Sequence, residues 1–124
     1  MISADTSTMV AYFEGKSGRD IDILHEIIKN NSLYLPPIVI AELTSDPALP
    51  ENILKTIIKI STLPIKENYW IRTGQTRSII LSKKLKARMS DALIAQSCID
   101  NDAALLTRDS DFRHFAQYCG LKLI

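Results

Sequence analysis

Ser90 to Phe112, reading SDALIAQSCIDNDAALLTRDSDF, constrains the fold more than any other stretch, because it sets a helix, a turn, a buried strand and a second helix start in direct succession. Ser90 is suited to cap a helix, Asp91 falls in the first turn where the macrodipole favours negative charge, and Ala92 to Ile99 are mostly apolar. Asn101-Asp102 signals a turn. Ala103 to Leu106 is apolar without alternation, as expected of a parallel strand covered on both faces. The chain then leaves the sheet at Thr107-Arg108-Asp109. In an open parallel sheet this loop lies at the carboxyl edge, where α/β folds place their ligands, and Asp91 and Asp109 are expected to approach each other there.

The remaining chain supports the same class. Met1 to Asp5 reads as a first strand ending on an acid, followed by a helix from Thr8 to Glu14. Ile21, Leu24, Ile27 and Ile28 form a helical stripe within Arg19 to Asn30. Leu33 to Leu35 is a short strand, and Pro36-Pro37 suits the first turn of a helix over Ile38 to Thr44 that carries Glu42. A helix over Glu51 to Ser61, a third strand over Leu63 to Lys66 and a long helix from Tyr69 to Leu85 follow. The long helix ends in the basic run Lys83, Lys84, Lys86 and Arg88. Phe112 to Tyr118 forms a last helix and Leu121 to Ile124 a last strand. The expectation is one domain over residues 1–124, long enough to bury a core without disulfide or metal staples.

Composition bounds the function classes. With 46% hydrophobic and 23% charged residues the chain is not disordered in character, and a formal charge of +1 gives no global attraction to nucleic acid. Any such attraction has to come from local cations. Cys98 and Cys119 lack CxxC spacing, and no charged-then-apolar leader precedes Ile2, so a reducing cytoplasm is expected. Apolar runs fall short of the ~20 residues of a membrane span.

The chemistry rests on acids where strands end or helices begin: Asp5, Glu42, Asp91 and Asp109, with Asp111 as a further one. Singly, each has a bland explanation as a helix cap, a dipole-compensating charge or a solvated residue. Convergence would change that. Two carboxylates ~5 Å apart repel by roughly 3 kcal/mol at an effective dielectric of 20, so a cluster must protonate or bind a cation. Oxygen-only ligands select Mg²⁺ or Mn²⁺ over Zn²⁺, and such a site supports metal-assisted phosphodiester hydrolysis. Lys86, Arg88 and Arg108, with Arg113, would supply positive surroundings for a phosphate backbone, although a solvated helix end explains the basic run equally well. Glycine-rich phosphate loops, GxGxxG and GxSxG are absent, and His25 and His114 are isolated.

Taken together, ISADTS with Asp5, PPIVIAEL with Glu42, SDALIAQ with Asp91 and LLTRDSDF with Asp109 resemble a PIN-domain nuclease of the VapC toxin type. The resemblance spans nearly the whole chain and implies a three-layer α/β/α fold around a central parallel sheet. It also implies a Mg²⁺- or Mn²⁺-dependent ribonuclease site in which Asp5, Glu42, Asp91 and Asp109 are the catalytic and metal-holding residues. Thr6 and Thr107 would orient site groups, and Asp111 would be an accessory acid. RNA as substrate, a small antitoxin whose tail enters the acidic groove, and a homodimer are further implications. Relatives commonly carry a glycine-containing turn where this chain has Lys83 to Arg88, so substrate preference does not transfer. Two alternatives stay open: a non-catalytic PIN-like module that binds RNA or protein, and a nuclease of RNA processing without a toxin role.

Overall fold

A computed structural model describes residues 1–124. Five parallel strands form its centre: β1 (Ile2–Ala4), β2 (Tyr34–Leu35), β3 (Ser61–Thr62), β4 (Ala104–Leu106) and β5 (Lys122–Leu123). β1 pairs with β4 in the register Ile2 to Ala104, β4 pairs with β5, and β2 pairs with β3. A parallel bridge between Ile2 and Leu33 joins the two groups, giving the spatial order β3, β2, β1, β4, β5. The chain steps away from β1 in one direction to reach β2 and β3, then returns to fill the other side. The order therefore reverses between β1 and β4, and the crevice at their carboxyl ends is the place where such sheets bind ligands.

Seven helices cover the sheet: α1 (Thr6–Phe13), α2 (Arg19–Lys29), α3 (Pro37–Thr44), α4 (Glu51–Lys59), α5 (Tyr69–Ser82), α6 (Met89–Asp100) and α7 (Phe112–Cys119). α1 packs against α2 and α3, and α5, α6 and α7 pack with one another, as expected when crossovers of one hand run in opposite directions along the sheet; α3 also touches α6. The result is the three-layer α/β/α arrangement. α6 is buried around most of its circumference, including Ala92, Ile94, Ala95 and Cys98. Phe112, Phe115, Met9, Leu24, Leu35, Leu105 and Leu106 are among the largest side chains fully removed from solvent. Cys98 and Cys119 are free thiols, and no helix is long and apolar enough to cross a membrane.

Several boundaries move for identifiable reasons. α1 starts at Thr6, not Thr8, because the Asp5 carboxylate accepts from the Thr8 amide at 3.0 Å and caps the helix itself. The third strand is Ser61–Thr62 instead of Leu63 to Lys66. Its ladder ends where the Leu63 amide donates to the Leu35 carbonyl, and Pro64 has no amide to continue it. α5 closes at Ser82 with Lys84 in the left-handed region, φ +57°, so residues 84–88 form a basic linker instead of a helix end. Arg88, in extended conformation, precedes α6 and its carbonyl accepts from Ala92, which places Ser90 inside the first turn; the expected Ser90 cap does not form.

Candidate active site

β1 and β4 end side by side, and the residues that follow them are tied together by hydroxyls. Asp5 is 3% exposed and accepts from Ser7 Oγ at 2.8 and 2.9 Å, from the Thr8 amide at 3.0 Å and from Thr107 Oγ1 at 2.6 Å. Thr107 Oγ1 in turn accepts from the Asp109 amide at 2.9 Å. One threonine thus links the end of β1 to the loop after β4, across 102 residues of chain. Replacing Thr107 by Val keeps the shape and removes a donor from a buried carboxylate, so urea denaturation at pH 7.5 is expected to show a loss of about 1–2 kcal/mol.

The acids converge closely at the start of α6. One carboxylate oxygen each from Asp91, Asp109 and Asp111 lie within 4.8 Å of one another. Asp91 is 7% exposed, and its Oδ2 is buried without a hydrogen-bond partner. Burial, chiefly, and then the negative charge of Asp109 push the Asp91 carboxyl up to about 6. Arg88 opposes this, while Asp111 and Asp5 add to it. The Asp109 loop is shaped locally: Asp109 Oδ1 accepts from the Asp111 amide at 2.9 Å, which brings both side chains to one side.

Glu42 sits further out. Its Oε1 accepts from Thr6 Oγ1 at 2.7 Å, so it joins the site through the neighbour of Asp5 and stands exposed at the mouth. Asp111 stands with Asp91 and Asp109 in the group of acids within 4.8 Å of one another, while Glu42 is linked to the neighbour of Asp5. Lys86 Nζ lies 3.4 Å from Asp111 Oδ2, and Arg88 is exposed at the N-terminus of α6. Arg108 turns away from the acids: its Nε and Nη2 donate to the two Asp20 oxygens at 2.6 and 3.0 Å, and Nη2 donates also to the Ser17 carbonyl at 2.8 Å. Asp20, held below the ordinary carboxylate range chiefly by that bond, carried no signal in the sequence, since its partner is 88 residues away. Ser7 is the other group missed. Its signal was the short spacing from Asp5, which suits a hydroxyl bonding back to a capping acid.

The arrangement fits a hard divalent cation. The donors at the cluster are carboxylate oxygens, with no histidine or cysteine among them, and the Asp91 carboxylate has acceptor capacity left unused, its Oδ2 being buried without a partner.

Solved structures share this architecture. The chain superposes on FitAcB from Neisseria gonorrhoeae with a TM-score of 0.78 at 22% identity, covering 100% of this chain and 96% of that one. It superposes on VapBC2 from Rickettsia felis, bound to a DNA fragment from its promoter, with 0.76 at 21%, covering 100% and 98%. DNA-bound VapBC from Salmonella typhimurium gives 0.74 at 20%, again covering 100% and 98%. No curated protein matches the sequence. The PIN domain model matches residues 2–118, nearly the whole chain, and with the acids gathered at the β1/β4 switch point this protein belongs to the PIN domain family.

Proposed function

We propose that the protein is a divalent-metal-dependent endoribonuclease and the toxin of a toxin-antitoxin pair. The observation that carries this reading is the meeting of Asp91, Asp109 and Asp111, one carboxylate oxygen of each within 4.8 Å of the others. Those three residues, with Asp5 behind them, would hold Mg²⁺ or Mn²⁺. Bound there, such an ion supplies an acidified water and neutralises charge on a phosphodiester. Asp5, fixed by Ser7, Thr8 and Thr107, keeps the site's floor negative without moving. Glu42, held through one oxygen by Thr6, has its other oxygen free at the mouth to take a proton from the attacking water. Lys86 and Arg88 flank the acids where an RNA backbone would pass, and each phosphate contact adds salt-sensitive affinity.

The toxin assignment draws on the VapBC and FitAB folds and on a groove beside Glu42. Val10, Phe13, Leu43, Leu49 and Ile53 line it, and Glu14, Glu42 and Asp46 rim it, which suits an apolar segment with basic residues such as an antitoxin tail. A second apolar face bears Trp70, 67% exposed, with Ile65, Ile38 and Leu93; we assign it to pairing with a second copy of the chain. Sedimentation is expected to show a dimer in the wild type and a monomer in Trp70→Ser. Free thiols at Cys98 and Cys119 suit a reducing cytoplasm.

The test of the activity is cleavage of structured RNAs by purified protein with Mn²⁺ or Mg²⁺, beside an EDTA control and single-stranded DNA. Metal-dependent cleavage of RNA in preference to DNA is expected. Inactivity across a broad RNA panel would overturn the enzymatic reading and favour a binding module.

A further inference from the structure

Arg108 is a strong cation directly before Asp109 in the chain, yet its side chain is committed elsewhere. Two of its nitrogens make three hydrogen bonds, two to Asp20 and one to the Ser17 carbonyl. Its own backbone amide donates to Ser7 Oγ at 3.3 Å, and Ser7 holds Asp5. Thus the residue between Thr107 and Asp109 is gripped from two sides, by the loop that enters α2 and by the first turn of α1. Gly18 completes the grip. Its φ is +143°, and a Cβ there would lie 2.6 Å from Asp20 Oδ1 and 3.1 Å from Arg108 Nη2. The guanidinium and its carboxylate therefore sit in a space that only glycine leaves open.

We propose that Asp20, Arg108 and Gly18 form a clamp that positions the Asp109 to Asp111 loop, so that Arg108 serves the site as a positioning residue instead of contacting RNA phosphate. The proposal rests on the metal-nuclease reading above only for its effect on activity. The chain of contacts is continuous: Asp20 to Arg108, Arg108 through the backbone to Thr107 and Asp109, and Thr107 to Asp5. Residues that orient metal-holding groups from behind change metal affinity by about 10- to 100-fold when removed.

Three variants break the clamp by different means: Arg108→Ala removes a positive charge, Asp20→Ala removes a negative one, and Gly18→Ala changes no charge. A positioning role predicts one phenotype for all three, with the Asp20→Ala/Arg108→Ala double variant no worse than either single. The Mn²⁺ concentration for half-maximal cleavage should rise about tenfold, kcat at saturating Mn²⁺ should be largely restored, and the salt dependence of RNA binding should be unchanged. Independently of metal and activity, amide exchange at Asp109 and Asp111 should quicken about tenfold while that of Leu105 in β4 stays protected. If Arg108→Ala alone weakens RNA binding and flattens its salt dependence while Asp20→Ala behaves as wild type, Arg108 is a phosphate contact and the clamp is refuted. Unchanged exchange at Asp109 and Asp111 in the variants refutes it as well. Faster exchange in a protein whose wild type shows no Mn²⁺ response would instead remove the nuclease reading and leave the clamp standing.

Discussion

Asp91→Asn is expected to lose about a thousandfold or more of Mn²⁺-dependent RNA cleavage and, without metal, to be more stable than the wild type. Both effects have one cause. The Asp91 carboxylate is buried with Oδ2 unpartnered and faces Asp109, Asp111 and Asp5, so its charge is unfavourable in the folded protein until a cation answers it. An amide at the same place keeps the shape and can donate to the neighbouring carboxylates, but it no longer helps to hold an ion. With the carboxyl raised to about 6 from 3.8, the folded protein binds a proton more readily than the unfolded chain between those values. Metal-free stability should therefore fall as pH rises from about 4 to about 6, by roughly 1–2 kcal/mol after allowance for solvent screening. That decline should be missing from the Asn variant. Urea denaturation of both proteins in EDTA across pH 4 to 8 measures it, and parallel curves would count against the assigned environment of Asp91.

Mn²⁺ should raise the melting temperature of the wild type about twice as much at pH 7.5 as at pH 5. At one hundred times Kd, binding to the folded state alone stabilises by about 2.7 kcal/mol, or ~10 °C for a chain of this size. One pH unit below the Asp91 value, proton competition at that carboxylate weakens metal binding by about tenfold and removes about half of the effect. Asp91→Asn and Asp109→Asn should each lose most of the shift at both pH values. Calorimetry with Mn²⁺, Mg²⁺ and Na⁺ at matched ionic strength separates a bound ion from general screening of charge. An equal response to Na⁺ would show that the acids are merely a negative surface.

Sequence reasoning located the acids because strand and helix ends are local features. Asp5 follows an apolar strand and Asp91 opens a helix, so their axial positions come from patterning alone. Asp111 lies close to Asp91 because the Asp109 carboxylate captures the Asp111 amide and turns the loop, a choice made by one hydrogen bond. Glu42 is tied to the start of α1 because α3 presents it to the Thr6 hydroxyl. Arg108 looked like a phosphate ligand because a cation beside three acids has no other partner visible nearby in the chain; Asp20 becomes its partner only when α2 packs at the end of β4.

What the residues alone determined is the order of elements, the parallel character of the sheet and the set of acids from which a site could be built, since periodicity, capping and turn chemistry act over a few positions. Which acids meet, which cation faces them and which is withdrawn into an ion pair were decided by packing. Those outcomes depend on distances of a few ångströms between segments up to a hundred residues apart, and electrostatic energies at such range change faster with separation than any pattern along the chain records.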